Sequence, residues 1–310
     1  MPLFRHPNRL PERFRCGAVS IGNFDGVHLG HAKIVERLLA VAGQVGGLTV
    51  AFTFDPHPAQ ILRPEKAPTP LCRTERNAEL LCEQGVDAVL AYPTDRDLLQ
   101  LDAREFFDRI LREQLDVRAM VEGPNFFFGH GRSGDIHVLQ RFCDEAGVLL
   151  EVVEPVEIDG AIVSSSRVRT LLTEGRVEEV RRLMARPHRI RGTVVRGRQR
   201  GATLGFPTAN IGGIDTLLPG EGIYAGVARV DGSQWPTAVS IGPNPTFDEQ
   251  DLKVEAHLIG YQGTLYDRPV EVDFLSRLRD IERFDCVDAL VEQVNRDIAA
   301  TREIAKQFEV

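Results

Sequence analysis

Short runs of β-branched residues alternate with amphipathic segments between residue 17 and about residue 185. Strand-like runs occupy residues 18–21, 48–54, 88–91, 119–122 and 149–153, and segments with helical spacing occupy residues 32–41, 74–83, 103–115 and 135–145. This alternation is typical of parallel strands joined by covering helices, and it predicts a doubly wound α/β sheet. Ligands of such sheets bind beyond the carboxyl ends of the strands, so the residues that follow each strand are the candidates for chemistry.

The pattern changes near residue 186. Short alternating runs follow, separated by glycine and proline rather than by helical spacing, at residues 190–195, 224–230, 237–241, 254–259 and 270–274. They predict a small antiparallel β-barrel. Residues 287–308 carry apolar side chains at helical spacing and predict a C-terminal helix. We therefore predict two domains, residues 1–185 and residues 186–310.

Composition narrows the class of protein. The 310 residues are 43% hydrophobic, which supplies apolar side chains for two cores, and no run approaches the roughly 18 apolar residues of a membrane-spanning helix. The basic, proline-containing N-terminus lacks the apolar run of a secretory signal. Five widely spaced cysteines without a CxxC pair indicate reduced thiols, and a formal charge of -8 disfavours nucleic-acid binding. We expect a cytoplasmic protein, monomeric or weakly homo-oligomeric, that acts on small molecules and binds neither nucleic acid nor membranes.

The first candidate site follows the first predicted strand. Residues 22–31 read Gly-Asn-Phe-Asp-Gly-Val-His-Leu-Gly-His and open the first predicted helix. Glycines allow close backbone approach to a ligand, and a helix N-terminus favours a phosphate. His28 and His31, three residues apart, face the same side and suit phosphate oxygens. A metal site is the other interpretation of such a pair, but no nearby Cys or third His completes a zinc set.

The His-x-Gly-His string resembles the signature of the nucleotidyltransferase superfamily, and residues 22–31 as a whole resemble the bacterial bifunctional riboflavin kinase/FMN adenylyltransferase (FAD synthetase) family. Ser164, Ser165, Ser166 and Arg169 resemble the second signature of the superfamily. The resemblance implies that ATP is bound by both segments, with His28, His31 and Arg169 as the catalytic groups. The ATP-binding residues that it implies are Gly22, Asn23, Phe24, Asp25, His28, Gly30, His31, Ser164, Ser165, Ser166 and Arg169.

Two further segments of the first domain resemble the flavin-binding loops of that family. One follows the second strand and the other the fourth strand, and the flavin-binding residues that they imply are Phe54, Pro56, His57, Pro58, Asn125, Phe126 and Phe128. The family usually has Asp in place of Asn125 and a basic residue in place of Phe127. These departures keep open the alternative of a degenerate first domain.

The second candidate site lies in the predicted barrel. Residues 197–210 are rich in glycine and end in Phe-Pro-Thr-Ala-Asn, without the Gly-Lys-Ser/Thr of a P-loop. Thr208 and Asn210 point the same way if extended, and their oxygens suit Mg²⁺. This segment resembles the riboflavin kinase signature. The resemblance implies ATP binding by Gly197, Gly201, Gly205, Pro207, Thr208 and Asn210, with Mg²⁺ held by Thr208 and Asn210.

Three residues downstream complete the resemblance. Glu255 lies in a strand-like run and would be the general base that takes the proton of the ribityl 5′-hydroxyl, while Arg279 and Phe284 would bind the flavin. The resulting hypothesis is an enzyme that converts riboflavin to FMN and then FMN to FAD, using ATP and Mg²⁺. The alternatives are a riboflavin kinase with a degenerate first domain, a non-catalytic flavin or nucleotide sensor, and a cytidylyl or pantetheine-phosphate adenylyl transferase, which would leave the barrel unexplained.

Overall fold

The computed structural model of the chain describes residues 2–197, 204–244 and 249–308. The fold divides into two compact units. The first comprises Met1–Pro68 and Arg73–Ser164, and the second comprises Thr69–Cys72 and Ser165–Val310. Compactness alone does not define a functional domain, so the boundary at residue 185 stays a prediction.

The first unit contains a six-stranded parallel sheet of order β1-β4-β3-β2-β5-β6. Its strands are β1 (Leu3–Phe4), β2 (Ala18–Ile21), β3 (Thr49–Asp55), β4 (Ala88–Pro93), β5 (Ala119–Glu122) and β6 (Leu149–Val152). Its helices are α1 (Leu29–Val45), α2 (Pro58–Leu62), α3 (Thr74–Glu83), α4 (Arg96–Gln100), α5 (Ala103–Phe106) and α6 (Ile136–Ala146). A hairpin of β7 (Glu157–Ile158) and β8 (Ala161–Ile162) completes the unit. The predicted doubly wound sheet is confirmed.

Both faces of this sheet are buried. Val19, Ile21 and Phe52 pack in a large core on one face, whereas Ala18 joins Leu38 of α1 in a smaller core on the other face. The alternation of side chains along a strand explains why neighbours on β2 enter different cores. Because both faces are covered, the free space for a ligand lies at the strand ends.

Local differences from the predicted elements have identifiable causes. The helix predicted at residues 103–115 is a short α5, started by an Asp102–Glu105 capping box, which continues as the π-helix Phe107–Gln114. The two-residue β1 carries too little pattern to be predicted. Helix α1 begins at Leu29 rather than residue 32, because His28 caps it. These changes leave the predicted topology intact.

The second unit is built on a closed barrel of order β10-β13-β12-β11-β14-β9 with antiparallel neighbours. Its strands are β9 (His188–Val195), β10 (Ala209–Gly212), β11 (Gly222–Val230), β12 (Ser233–Asn244), β13 (Glu249–Leu258) and β14 (Pro269–Arg279), and its helices are α7 (Ser165–Thr173), α8 (Val177–Met184) and α9 (Val287–Lys306). The predicted barrel and C-terminal helix are confirmed. Strand β10 was absent from the predicted strands, because four residues beside glycines carry a weak alternating pattern.

The helices and the cysteines of the chain bear on what its composition predicts. Within the described ranges, no helix combines the length and the apolar character needed to cross a bilayer. None of the five cysteines, all of which lie in those ranges, takes part in a disulfide.

Candidate functional site

The loop between β2 and α1, residues 22–28, has a strained backbone. Phe24, Gly26 and Val27 have φ values of 45°, 80° and 34°. A positive φ is unfavourable for a β-branched residue such as Val27, and strain of this kind persists only where the surroundings enforce it. Phe24 and Val27 are almost fully buried, so the first candidate site rests on a fixed loop.

Polar side chains from three neighbouring elements hold this loop. The hydroxyl of Thr53 donates to the carbonyl of Asn23 at 3.2 Å, and the side-chain oxygen of Asn77 accepts the Gly26 N–H at 3.0 Å. A side-chain oxygen of Glu122 accepts the N–H of Ile21, the residue before the loop, at 2.7 Å. None of these three anchoring residues was predicted, because each is remote in sequence and carries no motif.

Glu122 lies where the central strands separate. The β2–β5 ladder pairs only Ala18 with Ala119 and Val19 with Met120. Beyond these pairs, the backbone N–H of Ile21 on β2 donates to the side chain of Glu122 on β5. Burial raises the pKa of Glu122 well above its ordinary value, opposed by the hydrogen bond from Ile21. The order of the strands reverses at β2 and β5, which is the position where ligands bind in open α/β sheets.

His28 and His31 lie together at the start of α1. Their rings stack with centroids 3.7 Å apart and 14° between the planes. Nδ1 of His28 accepts the His31 N–H in a long hydrogen bond of 3.4 Å, so the proton of a neutral His28 ring resides on Nε2. A Cβ on Gly30 would lie 3.1 Å from the His28 ring, which explains the glycine between the histidines. Both imidazoles therefore lie at the N-terminus of α1, which is the positive end of the helix dipole.

The predicted flavin loops lie at the ends of β3 and β5. After β3, the Asp55–Pro56 bond is cis, and Nδ1 of His57 caps α2 by accepting the Ala59 N–H at 3.0 Å. After β5, Asn125 is exposed, whereas Phe126 stacks on the buried Phe128 with ring centroids 5.5 Å apart. Helix capping explains the position of His57, and core packing explains the positions of Phe126 and Phe128. The contacts of these loops with a flavin stay predictions.

Phe127, which we did not assign to the flavin, is 44% exposed. The guanidinium carbon of Arg132 lies 4.0 Å from its ring centroid. The family usually has a basic residue at position 127, and here the guanidinium of Arg132 places a positive charge beside Phe127 instead.

The residues of the second predicted nucleotidyltransferase signature divide between the units. Ser164 ends the first unit, whereas Ser165, Ser166 and Arg169 belong to α7 of the second. Within the second unit, Nε of Arg169 donates to the carbonyl of Thr69 at 3.0 Å. The role of these four residues in binding ATP stays a prediction.

In the barrel, strand register brings the second set of candidates into one row. Asn210 pairs with Glu255, and Glu255 pairs with Ser240 on the next strand. Ser240 pairs with Ile223, which in turn pairs with Arg279. The residues on both sides of Asn210, Glu255, Ser240 and Ile223 are buried, so these four side chains lie on the outward face of the barrel. The row crosses five strands and aligns an amide, a carboxylate, a hydroxyl and a guanidinium with Ile223.

A cavity of about 170 Å³ opens between this row and α9. Thr208, Glu255, Arg279 and Phe284 line it together, and their roles as one site stay predictions. Its other lining residues include Ser240, His257, Leu290, Val294 and Asp297, which were not predicted. The apolar spacing of α9 predicted the helix, but nothing in that spacing showed that its face covers a ligand site.

Two contacts set the position of the Thr208–Asn210 segment. Nδ1 of His257 lies 2.8 Å from the carbonyl of Pro207, and because a carbonyl only accepts, Nδ1 carries the proton. A Cβ on Gly197 would lie 2.2 Å from Nδ2 of Asn210, so any larger residue there would displace the Asn210 side chain. Gly205 has a φ of 89°, which also favours glycine. Gly201, which was predicted to bind ATP, lies outside the described residues.

Comparisons with known proteins agree for both units. Residues 11–167 match the FAD synthetase family, and residues 184–305 match the riboflavin kinase family. A bifunctional riboflavin kinase/FMN adenylyltransferase of Pseudomonas fluorescens is 38% identical over 96% of each chain. The bifunctional riboflavin kinase/FMN adenylyltransferase of Escherichia coli K12 is 33% identical over 98% of this chain and 97% of its own.

A solved structure also aligns with nearly the whole chain. It is a Streptococcus pneumoniae protein described as a macrolide-efflux protein, with a TM-score of 0.86 and 28% identity over 97% of this chain and 98% of its own. The arrangement of a parallel α/β sheet followed by a closed barrel is thus found in a related chain.

Proposed function

Because the chain belongs to the bifunctional riboflavin kinase/FMN adenylyltransferase family, we propose that it makes FMN and FAD at separate sites. The barrel transfers the γ-phosphoryl group of ATP to riboflavin, giving FMN and ADP. The α/β unit transfers the AMP part of a second ATP to FMN, giving FAD and pyrophosphate. The observation that carries the kinase assignment is the row of strand partners that brings Glu255 and Arg279 to the wall of one cavity.

In the kinase site, Glu255 is the general base. Its carboxylate takes the proton of the ribityl 5′-hydroxyl as that oxygen attacks the γ-phosphorus of ATP. The bond between the γ-phosphorus and the β,γ-bridging oxygen breaks, and that oxygen leaves with ADP. Arg279 lies across Ser240 and Ile223 from Glu255, at most roughly 14 Å away along the row. It binds the far part of the flavin together with Phe284. One flavin therefore spans the row, with its hydroxyl at Glu255.

Thr208 and Asn210 are the proposed Mg²⁺ ligands. Their hydroxyl and amide oxygens are hard donors at alternate positions of an extended segment, as Mg²⁺ prefers. Among the described residues, no three His, Cys, Asp or Glu side chains cluster as a metal site, which fits a cation held by two protein oxygens and substrate phosphates. When bound, the cation neutralises charge on the phosphates of ATP.

In the adenylyltransferase site, the chain provides no nucleophile of its own. A phosphate oxygen of FMN attacks the α-phosphorus of ATP in line, and pyrophosphate leaves. Positioning and charge neutralisation supply the catalysis of such a transfer. Nε2 of His28, the His31 ring and the first N–H groups of α1 stabilise the charge on the phosphates. The resemblance to the family implies that Arg169 and the neighbouring serines also bind ATP. The loops after β3 and β5 hold the flavin.

The proposed location of the enzyme is the cytoplasm, and its proposed partners are small molecules. Five cysteines without a disulfide favour a reducing cytoplasm, and the net charge favours small-molecule substrates over nucleic acid. The proposed assembly is a monomer or a weak homo-oligomer.

Two substitutions test whether the sites are independent. We expect His31→Ala to abolish FAD formation from FMN while riboflavin phosphorylation persists. Conversely, Glu255→Gln lowers the rate of FMN formation by roughly 10²- to 10⁴-fold, the usual contribution of a general base, and leaves FAD synthesis from added FMN intact. Both rates are measured by chromatography of the flavins in the presence of ATP and Mg²⁺.

Matched controls separate these effects from general damage. His137 also lies in the first turn of a helix, and Glu271 also lies on a barrel strand, where it pairs with Arg189 at 3.1 Å. His137→Ala and Glu271→Gln should therefore retain both activities. Loss of both activities in His31→Ala contradicts separate sites, and an unchanged kinase rate in Glu255→Gln contradicts the proposed base. A wild-type chain that forms FMN but no FAD favours the alternative of a degenerate first domain.

A further inference from the structure

A buried ion pair joins the barrel to the last helix at the edge of the cavity. Nη2 of Arg279 lies 2.8 Å from Oδ2 of Asp297, and Nε lies 3.2 Å from both carboxylate oxygens. The two side chains are only 16% and 9% exposed. Both line the cavity. The pair therefore fixes the guanidinium at the wall of the proposed flavin site.

The carboxylate itself is held in place. Nε2 of Gln293, one turn earlier on α9, donates to Oδ1 of Asp297 at 2.9 Å. Leu290, Val294 and Asp297 share one face of α9, because they are spaced by four and three residues. That face lines the cavity, so the helix delivers the carboxylate to the barrel together with two apolar side chains.

The bonding of Arg279 leaves part of the guanidinium for a ligand. Nε–H and one Nη2–H are directed at Asp297, and one Nη1–H donates to the carbonyl of Asp280 at 3.0 Å. A guanidinium has five N–H groups, so within the described residues two N–H groups have no protein acceptor. The Phe284 ring centroid lies 5.7 Å from the guanidinium carbon, which fixes the side chain from another direction.

We propose that Asp297 is a positioning residue for riboflavin binding, which it serves by fixing the guanidinium of Arg279. This inference rests on the proposed kinase function of the barrel. A buried ion pair often adds little net stability, since the cost of desolvating both charges offsets their attraction. Stability alone therefore does not account for the pair, whereas orientation of two remaining N–H donors toward the cavity does.

The experiment is a double-mutant cycle on riboflavin kinase activity. Asp297→Asn keeps the shape of the side chain and removes its charge, and Arg279→Met keeps much of the stem and removes the guanidinium. We expect each single variant to raise the riboflavin KM by roughly 10- to 100-fold, the effect of losing charged hydrogen bonds, with a smaller change in kcat. The double variant should be no worse than Arg279→Met, because Asp297 acts only through Arg279.

The controls identify what a failure means. Glu292→Gln, at an exposed position of the same helix, should leave the KM unchanged. Gln293→Met removes one hydrogen bond to Asp297 and should raise the KM by a smaller factor, which provides a test if Asp297→Asn does not fold. An unchanged riboflavin KM in a folded Asp297→Asn variant overturns the inference. If Asp297→Asn is unfolded, an unchanged KM in Gln293→Met overturns it instead. The inference is also overturned if the KM of the double variant rises by the product of the factors for Asp297→Asn and Arg279→Met. A wild-type chain that forms no FMN contradicts the proposed function instead.

Discussion

Replacing Gly197 with alanine tests the proposed Mg²⁺ site through a single methyl group. An added Cβ would lie 2.2 Å from Nδ2 of Asn210, whereas ordinary contacts begin at 3.4 Å. The Asn210 side chain therefore has to retreat by roughly 1 Å. A misplacement of that size costs about 10²-fold in rate when the displaced group positions a reactant.

The fold should tolerate the same substitution. The atom that moves is the end of a side chain, and a shift to a less favourable rotamer costs about 0.5–1.5 kcal/mol. We therefore expect riboflavin phosphorylation by Gly197→Ala to fall roughly 10²-fold, with little change in melting temperature and unchanged FAD synthesis from added FMN.

The assay compares FMN formation at several Mg²⁺ concentrations. Gly43→Ala is the control, because no atom lies within 4 Å of a Cβ at that helical position, and it should behave as wild type or slightly more stable. A Gly197→Ala variant with the wild-type kinase rate refutes the proposed role of Asn210. A variant that loses both activities together shows damage to the fold rather than to the site.

Three further predictions concern buried polar groups. Asn77→Ala removes the hydrogen bond from the Gly26 N–H to the Asn77 side chain, which costs about 0.5–1.5 kcal/mol and loosens the loop, so FAD synthesis should fall while FMN formation persists. Asn77→Asp, which keeps an acceptor, should restore most of the rate. Burial holds the pKa of Glu122 well above its ordinary value of 4.5, so above pH 4.5 the folded chain retains a proton that the unfolded chain releases. The stability present below pH 4.5 is lost as the pH rises toward the folded pKa, by up to about 1.4 kcal/mol per pH unit. Glu122→Gln should remove this slope from melting curves measured upward from pH 4.5, whereas parallel wild-type and variant curves contradict it. Burial lowers the pKa of His188 from 6.5 to about 4, so between these pH values the unfolded chain binds a proton that the folded chain does not. This difference in proton binding lowers the free energy of unfolding by roughly 3 kcal/mol as the pH falls from 6.5 to about 4. His188→Gln, which can still donate to the Leu217 carbonyl, should therefore lose stability less steeply than wild type in acid.

The fold was largely predictable because its signals are local. The strands at residues 18–21 and 119–122 are found as predicted, since each is a buried apolar run between clear breaks. The π-helix Phe107–Gln114 was not predictable, because its hydrophobic spacing resembles that of an α-helix. Strand β10 was missed for a different reason: its pairing with β9 and β13 stabilises a segment whose own pattern is weak.

The candidate sites were predictable only as far as their motifs reach. Residues 22–31 and residues 197–210 carry their chemistry in one contiguous string, and Glu255 was placed by resemblance. His257, Asn77 and Asp297 act through contacts between elements distant in sequence, at 2.8 Å, 3.0 Å and 2.8 Å respectively. A histidine, an asparagine and an aspartate on ordinary strands and helices give no signal until folding brings those elements together.

In the proposed function, one chain cleaves two ATP molecules at different phosphorus atoms, the γ-phosphorus in the kinase step and the α-phosphorus in the adenylyl transfer. The most direct test incubates the wild-type protein with riboflavin, Mg²⁺ and ATP labelled with ³²P at either the α- or the γ-phosphorus, followed by separation of FMN and FAD over time. We expect the γ-label in FMN first and then in FAD, and the α-label in FAD alone. The appearance of α-label in FMN, or of FAD without γ-label when riboflavin is the only flavin supplied, would contradict the account.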